Sequence, residues 1–333
     1  MDAAGNIWAI VLAGGEGSRL HSLTTTALGV AIPKQFCSLR GGDSLLHDAL
    51  KRAESIASPR HICAVVSQRH RRWWNSALAG LPAGNIIVQP RNCGTANGIL
   101  LPLLHILDRD PEARILILPS DHHVRDETVL AAALRCAMQE LSMHRDQVLL
   151  MGMLPEEADP ELGYIVPGCR DGAVSTVDRF VEKPDASLAR SLVDKGALWN
   201  AFIVAAKGAA LLRMFIRRFP QVVYGMRQVV MQNQFTPGLS AAAMDLYRDV
   251  PDIDFSRQIL QGAEPMLRVM QVPRCGWSDL GTPKRLAQTL RTLPQSLDLP
   301  VNASNRPDAF LNLALQQARL LPAVVQSANQ QAR

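Results

Sequence analysis

Three glycines, an arginine and a lysine near the start of the chain have the types and spacing for phosphate chemistry. They lie in Leu12-Ala13-Gly14-Gly15-Glu16-Gly17-Ser18-Arg19-Leu20, with Lys34 fifteen positions beyond Arg19. Glycines let backbone N–H groups approach an anionic ligand with no Cβ in the way. A nest of such amides binds phosphate, and a following arginine and lysine add positive charge. The spacing separates this loop from three familiar ones. The dinucleotide fingerprint and the kinase glycine loop both require a third glycine where Leu20 stands, and the Walker loop requires Gly-Lys-Ser/Thr. On these residues alone, a tight strand-to-helix turn with a surface arginine is the competing reading.

The elements around the loop say where such chemistry would sit. The apolar run 7–12 reads as a buried strand. Further strands are expected at 62–66, 86–88, 115–118 and 148–151, with helices at 44–56, through Trp73-Trp74, at 95–107 and at 128–143. This is a βαβ series, so an α/β fold with a mainly parallel sheet flanked by helices is the natural architecture. Ligands of such sheets bind beyond the carboxyl ends of the strands. Three polar loops follow strands there: 14–19, 89–96 (Gln89-Pro90-Arg91-Asn92-Cys93-Gly94-Thr95-Ala96) and 119–123 (Pro119-Ser120-Asp121-His122-His123). In the second half, strands are expected at 163–166, 174–181, 198–204 and 266–272, with a helix from about Ala186 and two or three more across 209–248. Thr282 is an N-cap candidate and Pro283 a first helical residue, so Asp279 sits in a turn just before a helix. Asp121 as a helix cap and Asp279 as a turn former are the plain alternatives.

Composition narrows the class. The chain has 333 residues, 47% hydrophobic and 20% charged, with a formal net charge of +5. That describes a globular protein with one large domain and appendages, mildly suited to anionic ligands. The cluster Arg69-His70-Arg71-Arg72 beside Trp73-Trp74 reads as the solvated face of a helix rather than a nucleic-acid surface. Six scattered cysteines without Cys-x-x-Cys fit free thiols in a reducing compartment. Adjacent His122 and His123, read as part of a strand, point to opposite sides with no third ligand placed nearby, which disfavours zinc. The N-terminus has no signal-peptide pattern, and apolar runs such as 99–104 are too short for a bilayer, so a cytoplasmic location is expected, with no membrane partner.

Taken in order, the motifs resemble those of sugar-1-phosphate nucleotidyltransferases, and more narrowly the mannose-1-phosphate guanylyltransferase (GDP-mannose pyrophosphorylase) group. The matching pieces are the loop 12–20, Pro33-Lys34-Gln35-Phe36, Gln89-Pro90-Arg91-Asn92 with Gly94-Thr95-Ala96, and Pro119-Ser120-Asp121-His122. They continue through Gly163-Tyr164-Ile165, Phe180-Val181-Glu182-Lys183-Pro184, Leu198-Trp199-Asn200, Asp254-Phe255-Ser256, and Trp277-Ser278-Asp279 with Gly281-Thr282-Pro283. The resemblance implies a Rossmann-like fold of the nucleotide-diphospho-sugar transferase type over residues 1–292. It implies transfer of a nucleotidyl group from a nucleoside triphosphate, GTP by preference, to a sugar 1-phosphate, mannose 1-phosphate by preference. By the same resemblance Arg19 and Lys34 are catalytic, and Leu12, Ala13, Gly14, Gly15, Gly17, Gln89, Pro90, Gly94 and Thr95 bind the nucleotide. Gly163, Glu182, Lys183 and Asn200 hold the sugar phosphate, and Asp121 and Asp279 hold Mg²⁺. The partners implied are small molecules, and a homodimer is compatible with the sequence.

The chain departs from the family pattern in three places. Residues 24–32 are longer than in many members and uncharged, Cys93 stands where an arginine is common, and the region after about Thr292 carries no recognisable β-helix or isomerase domain. Instead, a C-terminal extension (293–333) offers an amphipathic helix at 308–321 and a Gln/Ala-rich, disordered end. Another sugar phosphate or nucleotide, or an inactive homologue that only binds nucleotide sugar, are the alternatives; Arg19, Lys34, Asp121, Lys183 and Asp279 argue against the last. Trp199 and Trp277 are expected to be packing residues.

Overall fold

The computed structural model describes residues 6–25, 29–39, 41–231 and 240–293. Among these, one sheet is built from β1 (Ile7–Ala13), β2 (Ile62–Ser67), β3 (Ile86–Gln89), β4 (Arg114–Pro119), β5 (Val148–Met153), β6 (Gly163–Asp171), β7 (Val174–Glu182), β8 (Leu198–Lys207) and β9 (Leu267–Val272). Their order in space is β3-β2-β1-β4-β8-β5-β9-β7-β6. β1 runs parallel to β2 and β4, and β2 parallel to β3. Beyond β4 the sheet is mixed. β8 enters antiparallel to β4 and β5, β9 lies parallel to β5, and β6 and β7 pair antiparallel. For β6 and β7 the antiparallel pairing has a local cause: only Gly172 and Ala173 separate them, far too few residues for a parallel crossover.

Alternation along the strands divides the core in two. Ile7, Ala9, Val11 and Ala13 of β1 face one apolar layer, while Trp8 and Ile10 face the other. The first layer is covered by α1 (His21–Thr24), α2 (Leu45–Glu54), α3 (Arg71–Ala77), α5 (Glu127–Glu140), α6 (Ala186–Asp194) and α10 (Pro283–Thr292). The second is covered by α4 (Gly94–Arg109), α7 (Gly208–Arg218), α8 (Pro220–Met231) and α9 (Ala241–Asp249). With both faces covered, β1, β2 and β4 are apolar apart from Ser67 at the end of β2 and Arg114 at the start of β4, as strands buried on two sides must largely be.

Helix starts follow local capping chemistry. The Ser44 side chain and His47 form a capping box at α2, and Asp185 accepts from Leu188 N–H at α6. Thr282 accepts from Arg285 N–H, with Pro283 opening α10 where the sequence suggests. At α5 the cap is Asp126, which accepts from Val129 N–H, so Asp121 is not committed to that duty. The uncharged stretch 24–32 closes on itself where it is described: Ile32 N–H donates to the Thr24 carbonyl at 3.0 Å, and Thr25 pairs with Ala31. Among the described residues no helix is long and apolar enough to cross a membrane. The helix expected at 308–321 and the end after it lie outside the described residues.

Candidate active site

The carboxyl ends of β1, β3 and β4 open onto one cleft of about 300 Å³. It is lined by Leu12 near the end of β1 with Gly14, Gly15 and Arg19 beyond it, by Gln89 at the end of β3 with Gly94 and Thr95 beyond it, and by Asp121 after β4. Gly163, Glu182, Lys183 and Asn200 line it from β6, β7 and β8, and Asp279 from the turn before α10. Ala13, Gly17, Lys34 and Pro90 are not part of this lining. Ala13 is buried in β1, and Pro90 is half-buried just beyond β3. Gly17 supports the site from behind. It has φ +64°, and a Cβ there would lie 2.9 Å from the Lys34 backbone nitrogen, so the loop passes Lys34 only because this residue is glycine.

Lys34 is buried yet central. Its Nζ donates to the Asp279 carbonyl at 2.6 Å and lies 2.9 Å from Asp121 Oδ2. Next to it, Gln35 donates its Nε2 to the carbonyls of Ala13 (3.0 Å) and Gly15 (2.8 Å), which pins the glycine loop. Arg19 meets Glu161 at 3.0 Å, but both side chains are half-exposed, so that pair holds the arginine weakly and leaves it able to turn toward an anion. At the other wall, Thr95 Oγ1 accepts from Phe255 N–H, and Gln89 Nε2 donates to the Tyr247 hydroxyl at 3.0 Å.

Asp121 and Asp279 both face this cleft, and each already has a cation. Burial pushes the Asp121 carboxyl up, but Lys34 beside it more than offsets this and holds it below the usual range. Asp279 is likewise pushed up by burial and brought lower by Arg285, whose Nη1 donates to Oδ1 at 2.7 Å. Among the described residues no group of three or more His, Cys, Asp or Glu side chains is arranged to hold a metal ion by itself. A pair of hard carboxylates lining a cleft nevertheless fits Mg²⁺, which keeps several waters and takes oxygen ligands.

Several sequence expectations are corrected. His122 and His123 lie beyond the end of β4, not within a strand. His123 pairs through its backbone with Ser278, while His122 lines the cleft and meets the edge of Trp277, with burial pushing its pKa down to about 4. Trp277 thus lines the cleft as well as packing, whereas Trp199 is buried beneath Arg285. Cys93 does not face the cleft. It is fully buried among the apolar residues around α4, and its carbonyl accepts from Ile253 N–H.

Sequence reasoning missed Phe202, Asp254 and Ser256 as cleft residues and Arg285 behind them, although the Asp254-Phe255-Ser256 segment itself stands out. Phe202 carries no sequence signal at all. Its φ is +56°, a conformation that costs an aromatic residue about 1–3 kcal/mol. Asn200 Oδ1 accepts from Phe202 N–H at 3.1 Å, and the ring lies edge-on to Phe255 at 6.0 Å.

Glu182 has the most displaced carboxyl on the wall formed by β6, β7 and β8. Burial, followed by the nearby Asp254, raises it from 4.5 to about 7. The folded protein therefore binds a proton that the unfolded chain releases between those values. Stability from this group is complete below pH 4.5 and is lost as pH rises through 7. Glu182→Gln should leave the thermal midpoint nearly unchanged at pH 4.5 and raise it at pH 8, by about 2–4 °C per kcal/mol relieved. Equal shifts at the two pH values would show that Glu182 is not the titrating group.

Comparison with known proteins agrees with this architecture. Mannose-1-phosphate guanylyltransferase 2 of Escherichia coli O157:H7 is 29% identical over 292 residues, covering 83% of this chain and 58% of that protein. The alginate biosynthesis protein AlgA of Pseudomonas syringae pv. tomato is 27% identical over 283 residues, covering 82% and 56%. The chain thus spans little more than half the length of these curated relatives. A solved structure titled mannose-1-phosphate geranyltransferase, from Thermus thermophilus, superposes with a TM-score of 0.73 at 26% identity, covering 87% of this chain and 80% of that one. A family model described as "Nucleotidyl transferase" matches residues 8–296, nearly all of the described sheet and cleft included, and the chain belongs to that nucleotidyl transferase family.

Proposed function

We propose that this chain transfers a nucleotidyl group from a nucleoside triphosphate to a sugar 1-phosphate, with GTP and mannose 1-phosphate as the preferred pair. One observation carries the reading. A glycine loop with a half-exposed arginine, two aspartates and a Glu-Lys-Asn wall share one cleft, and a buried lysine behind its lining contacts the Asp121 carboxylate and the Asp279 carbonyl. The names of the relatives, mannose-1-phosphate guanylyltransferases among them, support the choice of substrates.

In this reading a phosphate oxygen of the sugar 1-phosphate attacks the α-phosphorus, the bond to the bridging oxygen breaks, and pyrophosphate leaves. The attacking oxygen is already ionised, so no general base is required. The protein's work is to align two anions and relieve their repulsion. The glycine-loop amides and Arg19 hold the triphosphate and the departing pyrophosphate. Lys34 neutralises charge at the transfer centre. Lys183 meets the sugar's phosphate, while Glu182 and Asn200 meet its hydroxyls. Asp121 and Asp279 are the residues that would hold Mg²⁺, which when bound supplies positive charge to phosphate oxygens. Gln89, Gly94 and Thr95 line the nucleoside side.

A pyrophosphate-release screen of four nucleoside triphosphates against a panel of sugar 1-phosphates with Mg²⁺ tests the proposal. Turnover is expected with GTP and mannose 1-phosphate above all other pairs. Turnover with a different pair would move the substrate assignment, and tight nucleotide-sugar binding without release by any pair would overturn the enzyme reading.

A further inference from the structure

Arg285 is the most heavily committed cation near the cleft, although it lies in a helix and carries no motif. It is 6% exposed. Its Nη1 donates to Asp279 Oδ1 at 2.7 Å, its Nε donates to Asp159 Oδ2 at 2.9 Å, and its guanidinium lies 4.7 Å above the ring of Trp199. One planar fork thus joins two carboxylates from different parts of the chain, which a lysine's single ammonium cannot reproduce. The other Asp279 oxygen, Oδ2, folds back over Gly281, where a Cβ would collide with it. Arg285 therefore takes one oxygen of the carboxylate, and the glycine leaves space around the other.

Each of the two aspartates is already in contact with a cation. Lys34 Nζ lies 2.9 Å from Asp121 Oδ2 and Arg285 Nη1 lies 2.7 Å from Asp279 Oδ1, while Asp159 shares the same arginine. A dication approaching either carboxylate must compete with that cation for its oxygens, and charges this close and this buried interact strongly. A bound triphosphate shifts the competition, because it adds several negative charges and offers Lys34 another partner.

We propose that Arg285 is a positioning residue that fixes the Asp279 carboxylate and keeps the two cleft aspartates from capturing a divalent cation before the nucleotide arrives. The proposal rests on the nucleotidyl-transfer reading for its purpose, but its test does not need turnover. Mn²⁺ binding to the nucleotide-free protein is followed by the loss of the free-ion electron paramagnetic resonance signal. Arg285→Met retains the packing over Trp199 but removes the charge, and should tighten Mn²⁺ binding about tenfold or more. Asp159→Asn removes a competing carboxylate, gives Asp279 a larger share of Arg285, and should weaken Mn²⁺ binding severalfold. Each variant changes the local charge by one, so both shifts are measured again at about 0.5 M salt, where long-range charge effects are screened and contact competition for Asp279 persists; shifts that vanish there overturn the proposal. Unchanged or weaker binding in a folded Arg285→Met protein overturns the proposal. If that variant does not fold, Asp159→Asn decides, and binding as tight as in the unaltered protein overturns it. Should no substrate pair turn over, the functional reading fails, while the Mn²⁺ titration still reports on Arg285.

Discussion

Asp279→Ala is expected to lower nucleotidyl transfer by about 10³-fold or more, the scale on which removal of one preorganised electrostatic group acts. The carboxylate lines the cleft, is held by Arg285 at 2.7 Å, and belongs to the pair suited to Mg²⁺. Its removal should spare the fold. Arg285 keeps Asp159 as a partner, so no buried cation is orphaned, and the Asp279 carbonyl still accepts from Lys34. The two readouts are pyrophosphate release and a thermal melt. A normal rate with a normal melt would remove Asp279 from the proposed machinery, and a collapsed melt would make it a structural residue instead.

Lys34→Met should be nearly as damaging, lowering kcat by about 10²–10⁴-fold, as expected when a preorganised charge aimed at the transfer centre is lost. The methionine is close in length to the buried lysine, so packing against Gly17 is retained while the ammonium is not. Two interactions disappear, one to Asp121 Oδ2 and one to the Asp279 carbonyl. Asp121 is 35% exposed and can be hydrated, which limits the stability cost. Lys34→Arg is not expected to rescue the rate. A guanidinium is larger and flat, and the space at Nζ is bounded by two acceptors, at 2.6 and 2.9 Å. Steady-state kinetics with both variants check this, and a Lys34→Met enzyme within about tenfold of the unaltered rate would refute the assignment.

Much of the site is legible in the sequence because its parts are local. The loop after β1, the stretch after β3 and the Ser-Asp-His stretch after β4 each sit where a parallel strand ends, and the parallel half of the sheet places those ends side by side. Thr282 and Pro283 announce the start of α10 through capping chemistry that involves only neighbours in sequence. Cys93 shows the limit of a motif comparison. Matched position by position it takes the place of a nucleotide contact, but its thiol belongs to the core, because that residue lies at the turn into α4 and faces Ile253 rather than the cleft.

The sequence by itself determined the α/β class, the order of the motifs, the strand ends that carry them and the types of group available for phosphate chemistry. Those depend on apolar periodicity, glycine and capping, whose physics spans a few residues. Only the tertiary structure decided which charges meet. Lys34 reaches a carbonyl 245 positions away, and Arg285 joins Asp279 to a loop 126 positions back. Phe202 adopts a left-handed conformation that its own side chain disfavours. Ion pairing and imposed strain have no sequence period. They arise when distant segments are packed against one another, and here that packing is set by the mixed half of the sheet, which brings β8 and the turn before α10 to the edge of the parallel half.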